Sequence, residues 1–131
     1  MHPILRLTAP LLLTASCWSF APHPRPDSEL LLGTWVSEKD KNWKLVFTKD
    51  KCTQYYSGEA PEVDRYMLSN KSPQCGEKVP VVNDTTKYHY LQLVELKNNE
   101  ATCYELNGLT TEVLSLRPTH TGGTLVFRKK N

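Results

Sequence analysis

Residues 88–129 read YHYLQLVELKNNEATCYELNGLTTEVLSLRPTHTGGTLVFRK, and this stretch decides the fold. Residues 88–96 are rich in β-branched, aromatic and leucine side chains and predict a strand. Lys97-Asn98-Asn99-Glu100 predicts a hairpin turn, because Asn tolerates left-handed backbone and caps its own turn. Residues 102–106 predict the return strand, and Asn107-Gly108 predicts a second turn. Residues 112–117 and 124–129 predict two further strands, separated by the breakers Pro118, Gly122 and Gly123. The same rhythm continues upstream. Trp43, Leu45 and Phe47 share one face of a strand over 43–48, residues 49–51 turn, and 52–56 return. After the break at 57–61 a strand is predicted over 65–69, then an irregular connection over 74–87 with a short edge strand at 79–82. Strands every 8 to 12 residues without helical periodicity imply an all-β fold. A sheet of this many strands closes on itself, because open edges invite aggregation. The prediction is an up-and-down antiparallel barrel of about eight strands.

The composition narrows the function classes. The chain has 131 residues, the length of one domain. Its 16 Lys and Arg nearly cancel 14 Asp and Glu, so no nucleic-acid partner is expected. No apolar run approaches the roughly 18 residues of a membrane-spanning helix.

The first acidic residue is Asp27. Arg6 precedes a short apolar run over 7–15, the length and polarity of a secretory leader rather than a membrane span. That run ends in Leu13-Thr14-Ala15-Ser16-Cys17, which resembles the lipobox of bacterial lipoproteins. The resemblance implies a leader over 1–16, lipidation of Cys17, a Pro-rich tether over 17–28 and a barrel domain over 29–131. Trp18 follows the lipidated position instead of an inner-membrane retention aspartate, which favours anchoring in the outer membrane. A secreted or periplasmic protein is the alternative. The tether, Ala21-Pro22-His23-Pro24-Arg25-Pro26, favours extended polyproline backbone.

Leu31-Leu32-Gly33-Thr34-Trp35 opens the domain and resembles the Gly-x-Trp signature of the lipocalins. The family is an eight-stranded antiparallel barrel with a ligand cavity. Its last strand carries an Arg that packs over the Trp, and Arg128 is the matching position. The resemblance therefore implies that Gly33, Trp35 and Arg128 close the barrel, with a cation–π contact of about 0.5–2 kcal/mol. The domain is shorter than a typical lipocalin and lacks the flanking C-terminal helix. In these respects it is similar to the small lipocalin-like lipoproteins of Bacteroidetes-type bacteria.

Cys52, Cys75 and Cys103 show neither C-x-x-C spacing nor a nearby histidine, so no metal site is expected. Export favours a disulfide. Cys52 and Cys75 fall at the same end of the predicted sheet and are the favoured pair, leaving Cys103 a buried thiol, with the other pairings open. Trp43, Leu45, Phe47, Tyr55, Tyr66, Tyr104, Leu114 and Phe127 are the candidates to line a cavity for a small hydrophobic ligand, and the same residues would serve to fill a small barrel. No nucleophile elbow, phosphate loop or paired carboxylates are recognisable. Glu95, Glu105 and Glu112 read as solvent-facing strand residues. No enzyme activity and no cofactor are expected. The functional expectation is an envelope lipoprotein that binds a small hydrophobic molecule. The alternative is a filled barrel acting through its loops as a protein-interaction or inhibitor module.

Overall fold

Two-residue alternation governs which side chains enter the core, except at the β6 bulge. The computed structural model describes residues 25–70 and 87–131. Among these a four-residue helix, α1 (Asp27–Leu30), is followed by eight strands: β1 (Gly33–Ser37), β2 (Lys44–Phe47), β3 (Lys51–Tyr55), β4 (Glu62–Ser69), β5 (Tyr90–Glu95), β6 (Ala101–Leu109), β7 (Val113–Pro118) and β8 (Leu125–Lys129). Each strand pairs antiparallel with the next, and β1 pairs with β8 to close the barrel. Trp35, Leu45, Phe47, Leu91, Leu114, Leu116 and Phe127 all face inward and are at most 2% exposed. Their burial is the main stabilising term, about 1.5–3 kcal/mol for each large apolar side chain. The leader, Cys17, Cys75 and the edge strand expected at 79–82 lie outside the described residues.

Two local departures from the expected pattern stand out. Asn107-Gly108 is not a turn, because β6 runs through it with a register shift between Leu106 and Gly108. The shift lets Leu106 oppose Leu116 and Leu109 oppose Leu114, so two residues at odd spacing meet the same apolar face. The chain reverses instead after Leu109, where Thr110 Oγ1 accepts from the Glu112 and Val113 N–H groups at 3.2 and 3.0 Å. Strand β4 begins at Glu62, three residues before the predicted start, and so carries two acids into the barrel. The turn expected at 97–100 forms, with Asn99 at a φ of 58°.

One end of the barrel is sealed. Helix α1 leads Leu31, fully buried, beneath the strands, and the Leu31 carbonyl accepts a 2.8 Å hydrogen bond from Trp35 Nε1. Asp27 anchors the helix by accepting from the Tyr88 N–H at 2.8 Å. The cation over Trp35 is Lys129, not Arg128. Its Nζ lies 4.5 Å from the ring centroid and also donates to the Leu32 carbonyl. The reason is register: Trp35 opposes Lys129, whereas Arg128 opposes Val36 and points outward. There Arg128 meets exposed Glu38 at 3.2 Å. Gly33 completes the clamp. Its φ is +120°, and a β-carbon there would come within 2.7 Å of Lys129 Nζ.

The expected cysteine roles are also reversed. Cys52 is a buried free thiol and Cys103 is disulfide-bonded, so Cys52 does not pair with Cys75. Strand register explains the difference. Cys52 opposes Asp64 on an inner face, inside the barrel, whereas Cys103, equally buried, opposes Gln92 on the outer face.

Candidate functional site

The other end of the barrel, the mouth, where the β1–β2, β3–β4, β5–β6 and β7–β8 connections lie, gathers the inward polar side chains. The alternation of β3 and β4 that buries Cys52 also directs Gln54, Glu62 and Asp64 inward. Asp64 is 1% exposed and Gln54 6%. Gln54 Nε2 donates to Asp64 Oδ2 at 2.7 Å. Gln54 Oε1 accepts from Tyr56 OH at 2.9 Å and from Trp43 Nε1 at 3.3 Å. Above this pair of bonds the Trp43 and Tyr56 rings stack with centroids 5.5 Å apart, and Trp43 meets Phe127 edge-on at 4.9 Å.

The electrostatics of the cluster follow from burial and like charge. Desolvation, a hydrogen bond to the Asp64 carboxyl, and the charges of Asp64, Glu95 and Glu100 push Glu62 up to about 7. Burial, followed by the charges of Asp64, Cys52 and Glu62, pushes the Tyr104 hydroxyl up to about 12. Burial also pushes Cys52 far up, with Asp64 and Glu62 adding to the effect, so its thiol is no nucleophile. Chemically the cluster can hold one proton between two carboxyl groups near neutral pH. It can also accept hydrogen bonds from a donor entering the mouth. Among the described residues no group of three or more His, Cys, Asp and Glu side chains is placed to hold a metal ion.

The structure sorts the predicted cavity residues into four places. Trp43, Tyr104 and Phe127 stand towards the mouth, and Leu45 and Leu114 fill the core. Phe47 and Tyr66 pack edge-on at 5.2 Å towards the sealed end, where Tyr66 OH donates to the Thr48 carbonyl at 2.6 Å. Tyr55 does not enter the barrel. It opposes Lys44 on the outer face and is 42% exposed. Glu95 does not face solvent as predicted, since it opposes Asp64 in register and so shares its inner face. Glu105 points outward, 3.7 Å from Arg117. Sequence reading missed Gln54, Glu62 and Asp64. Counting back in twos from Tyr66 reaches Asp64 and Glu62, and that is the signal that would have found them.

No family model and no curated protein matches the chain. A solved structure does: a lipocalin-like protein from Bacteroides uniformis superposes with a TM-score of 0.53 at 15% sequence identity. The match covers 77% of this chain and 99% of the other. At that identity the likeness concerns the fold. With its closed eight-stranded antiparallel barrel, sealed at one end by Trp35, the chain has a lipocalin-like fold.

Proposed function

We propose that the protein is an outer-membrane-anchored envelope lipoprotein whose barrel binds a small, largely apolar molecule at its mouth. One observation carries the binding reading. The stacked Trp43 and Tyr56 rings converge with Gln54, Glu62 and Asp64 above a core already filled by Leu45, Leu91 and Leu114. A ligand is therefore held at the mouth. Its apolar body lies against the rings and a donor group on it reaches the carboxyl pair. A buried carboxylate costs stability, so a proton shared near neutral pH inside a barrel supports a functional use of the pair. The anchoring reading rests on the lipobox-like Leu13–Cys17 segment and the proline-rich stretch before Asp27.

Native purification of the full chain, organic extraction and mass spectrometry against a denatured control tests the binding. The expected product is a stoichiometric compound with an apolar body and an amine or hydroxyl donor, lost from Asp64→Asn. An empty extract, together with no thermal stabilisation by a panel of arylalkylamines, removes the reading in favour of a barrel that works only through its surface. Anchoring is tested with a fatty-acid analogue. Label should disappear in Cys17→Ala, and label that persists overturns the lipid anchor.

A further inference from the structure

The outer faces of β1, β2 and β3 form a depression of about 670 Å³ that borders the mouth cluster at Tyr56 but leaves the carboxyl pair outside its lining. It is lined by Lys41, Lys44 and Lys130, by Asn42 and by Tyr55 and Tyr56, with no acidic side chain among its lining residues. In a chain whose formal charge is only +2, three lysines on one groove are a local concentration of positive potential. None of the three is ion-paired among the described residues. Tyr55 opposes Lys44 across the β2–β3 ladder, so an outward ring and an ammonium lie side by side. We propose that this groove binds an acidic oligosaccharide, a chain bearing uronate or sulfate groups, as a second ligand distinct from the one at the mouth.

The residue types match that chemistry. Lysines neutralise the anionic groups, and the Asn42 amide offers donor and acceptor to sugar hydroxyls. The exposed Tyr55 ring offers an apolar face to the flat side of a pyranose. Other polyanions fit less well. A single-stranded nucleic acid needs successive free ring faces, but Tyr56 is stacked on Trp43 and leaves Tyr55 as the one open platform among the lining residues. An acidic peptide would gain most by adding to a sheet edge, and the closed barrel presents none here, because β1 is paired on both sides. A planar anionic membrane cannot follow a concave floor.

The test is titration calorimetry on the full chain with four probes. They are a tetragalacturonate, its methyl-esterified neutral counterpart, a sulfated chondroitin oligosaccharide and oligothymidylate. At least one acidic oligosaccharide should bind, with affinity falling steeply as salt rises. Esterification should weaken binding at least tenfold. Lys41→Glu and Lys130→Glu, both at exposed positions, should each weaken it about tenfold, Tyr55→Ala comparably, and the mouth variant Glu62→Gln not at all. The more conservative Lys41→Gln and Lys130→Gln guard against a folding defect and should show smaller losses in the same direction. Equal affinity for the charged and esterified sugars overturns the proposal. So do tighter binding of oligothymidylate and failure of both acidic oligosaccharides to bind at millimolar concentration.

Discussion

Lys129→Met is the sharpest perturbation of the sealed end, because it keeps the aliphatic stem while removing the ammonium. The lost contacts are a cation 4.5 Å from the centroid of a fully buried Trp35 ring and a donor to the Leu32 carbonyl. The first is worth about 0.5–2 kcal/mol, and a charge-assisted hydrogen bond about 1.5–3 kcal/mol. Against these stands the cost of drawing the ammonium from water. Burial, with the positive charge of Arg25 adding to it, already holds Lys129 below the usual lysine range. A net loss of about 1–2 kcal/mol follows. Arg128→Ala removes only a 3.2 Å pair whose side chains are 57% and 50% exposed, for which about 0–0.5 kcal/mol is expected. Gly33→Ala should cost about 2–4 kcal/mol, since its φ of +120° strains any other residue and its new β-carbon displaces Lys129. Because displacing the lysine and deleting its charge remove the same contacts, Gly33→Ala with Lys129→Met should fall about 1–2 kcal/mol short of additivity. Urea unfolding followed by circular dichroism measures all four. Arg128→Ala as costly as Lys129→Met, or strict additivity in the double variant, would refute the assignment of the clamp.

The remaining expectations concern the polar half of the barrel. Glu62 is pushed up to about 7 in the folded chain. Unfolded, it titrates near the ordinary 4.3. The native state therefore binds the extra proton between those values, so this group's contribution falls as pH rises through that window and levels off above it. Solvent screening of a half-exposed group limits the change to about 1 kcal/mol. The difference between wild type and Glu62→Gln, taken from urea midpoints at pH 5 and pH 8, should show that fall, and a rise would contradict it. Cys52, fully buried and pushed far above the ordinary thiol range, should react with a disulfide reagent only in denaturant. Rapid labelling of the native protein at Cys52 would mean that the β3–β4 inner face opens.

Legibility in the sequence tracked the strength of the local signal. Alternation around Trp43, Leu45 and Phe47 and the asparagine-rich turn at 97–100 were readable, because side-chain period and turn chemistry are local properties. The Asn107-Gly108 pair misled because a bulge and a turn use the same residues. Only the facing leucines on β7 decide between them. Arg128 and Lys129 are adjacent cations at the chain's end, and which one covers Trp35 depends on a register set by closing β8 against β1. Cys52 and Cys103 differ by the face of the sheet they occupy, and spacing along the chain does not carry that information.

The mouth was the least legible part, and the reason lies in how a barrel divides its work. Every strand has one inward face, so placing Asp64 inside required only an even offset from Tyr66, which the energetics of burial alone would oppose. The sealed end makes that placement tolerable. Leu31, Trp35, Phe47, Leu91, Leu114, Leu116 and Phe127 form a core that does not depend on the polar layer. Gln54 meanwhile satisfies Asp64, Tyr56 and Trp43 at once, and no buried side-chain polar atom among the described residues is left without a partner. A purely structural plug would be served as well by leucines of similar volume, without the cost of holding a proton between two carboxyl groups. The retained carboxyl pair, half-exposed at Glu62 and roofed by two aromatic rings, therefore argues that this end is built to meet a ligand, while the other is built to hold the barrel shut.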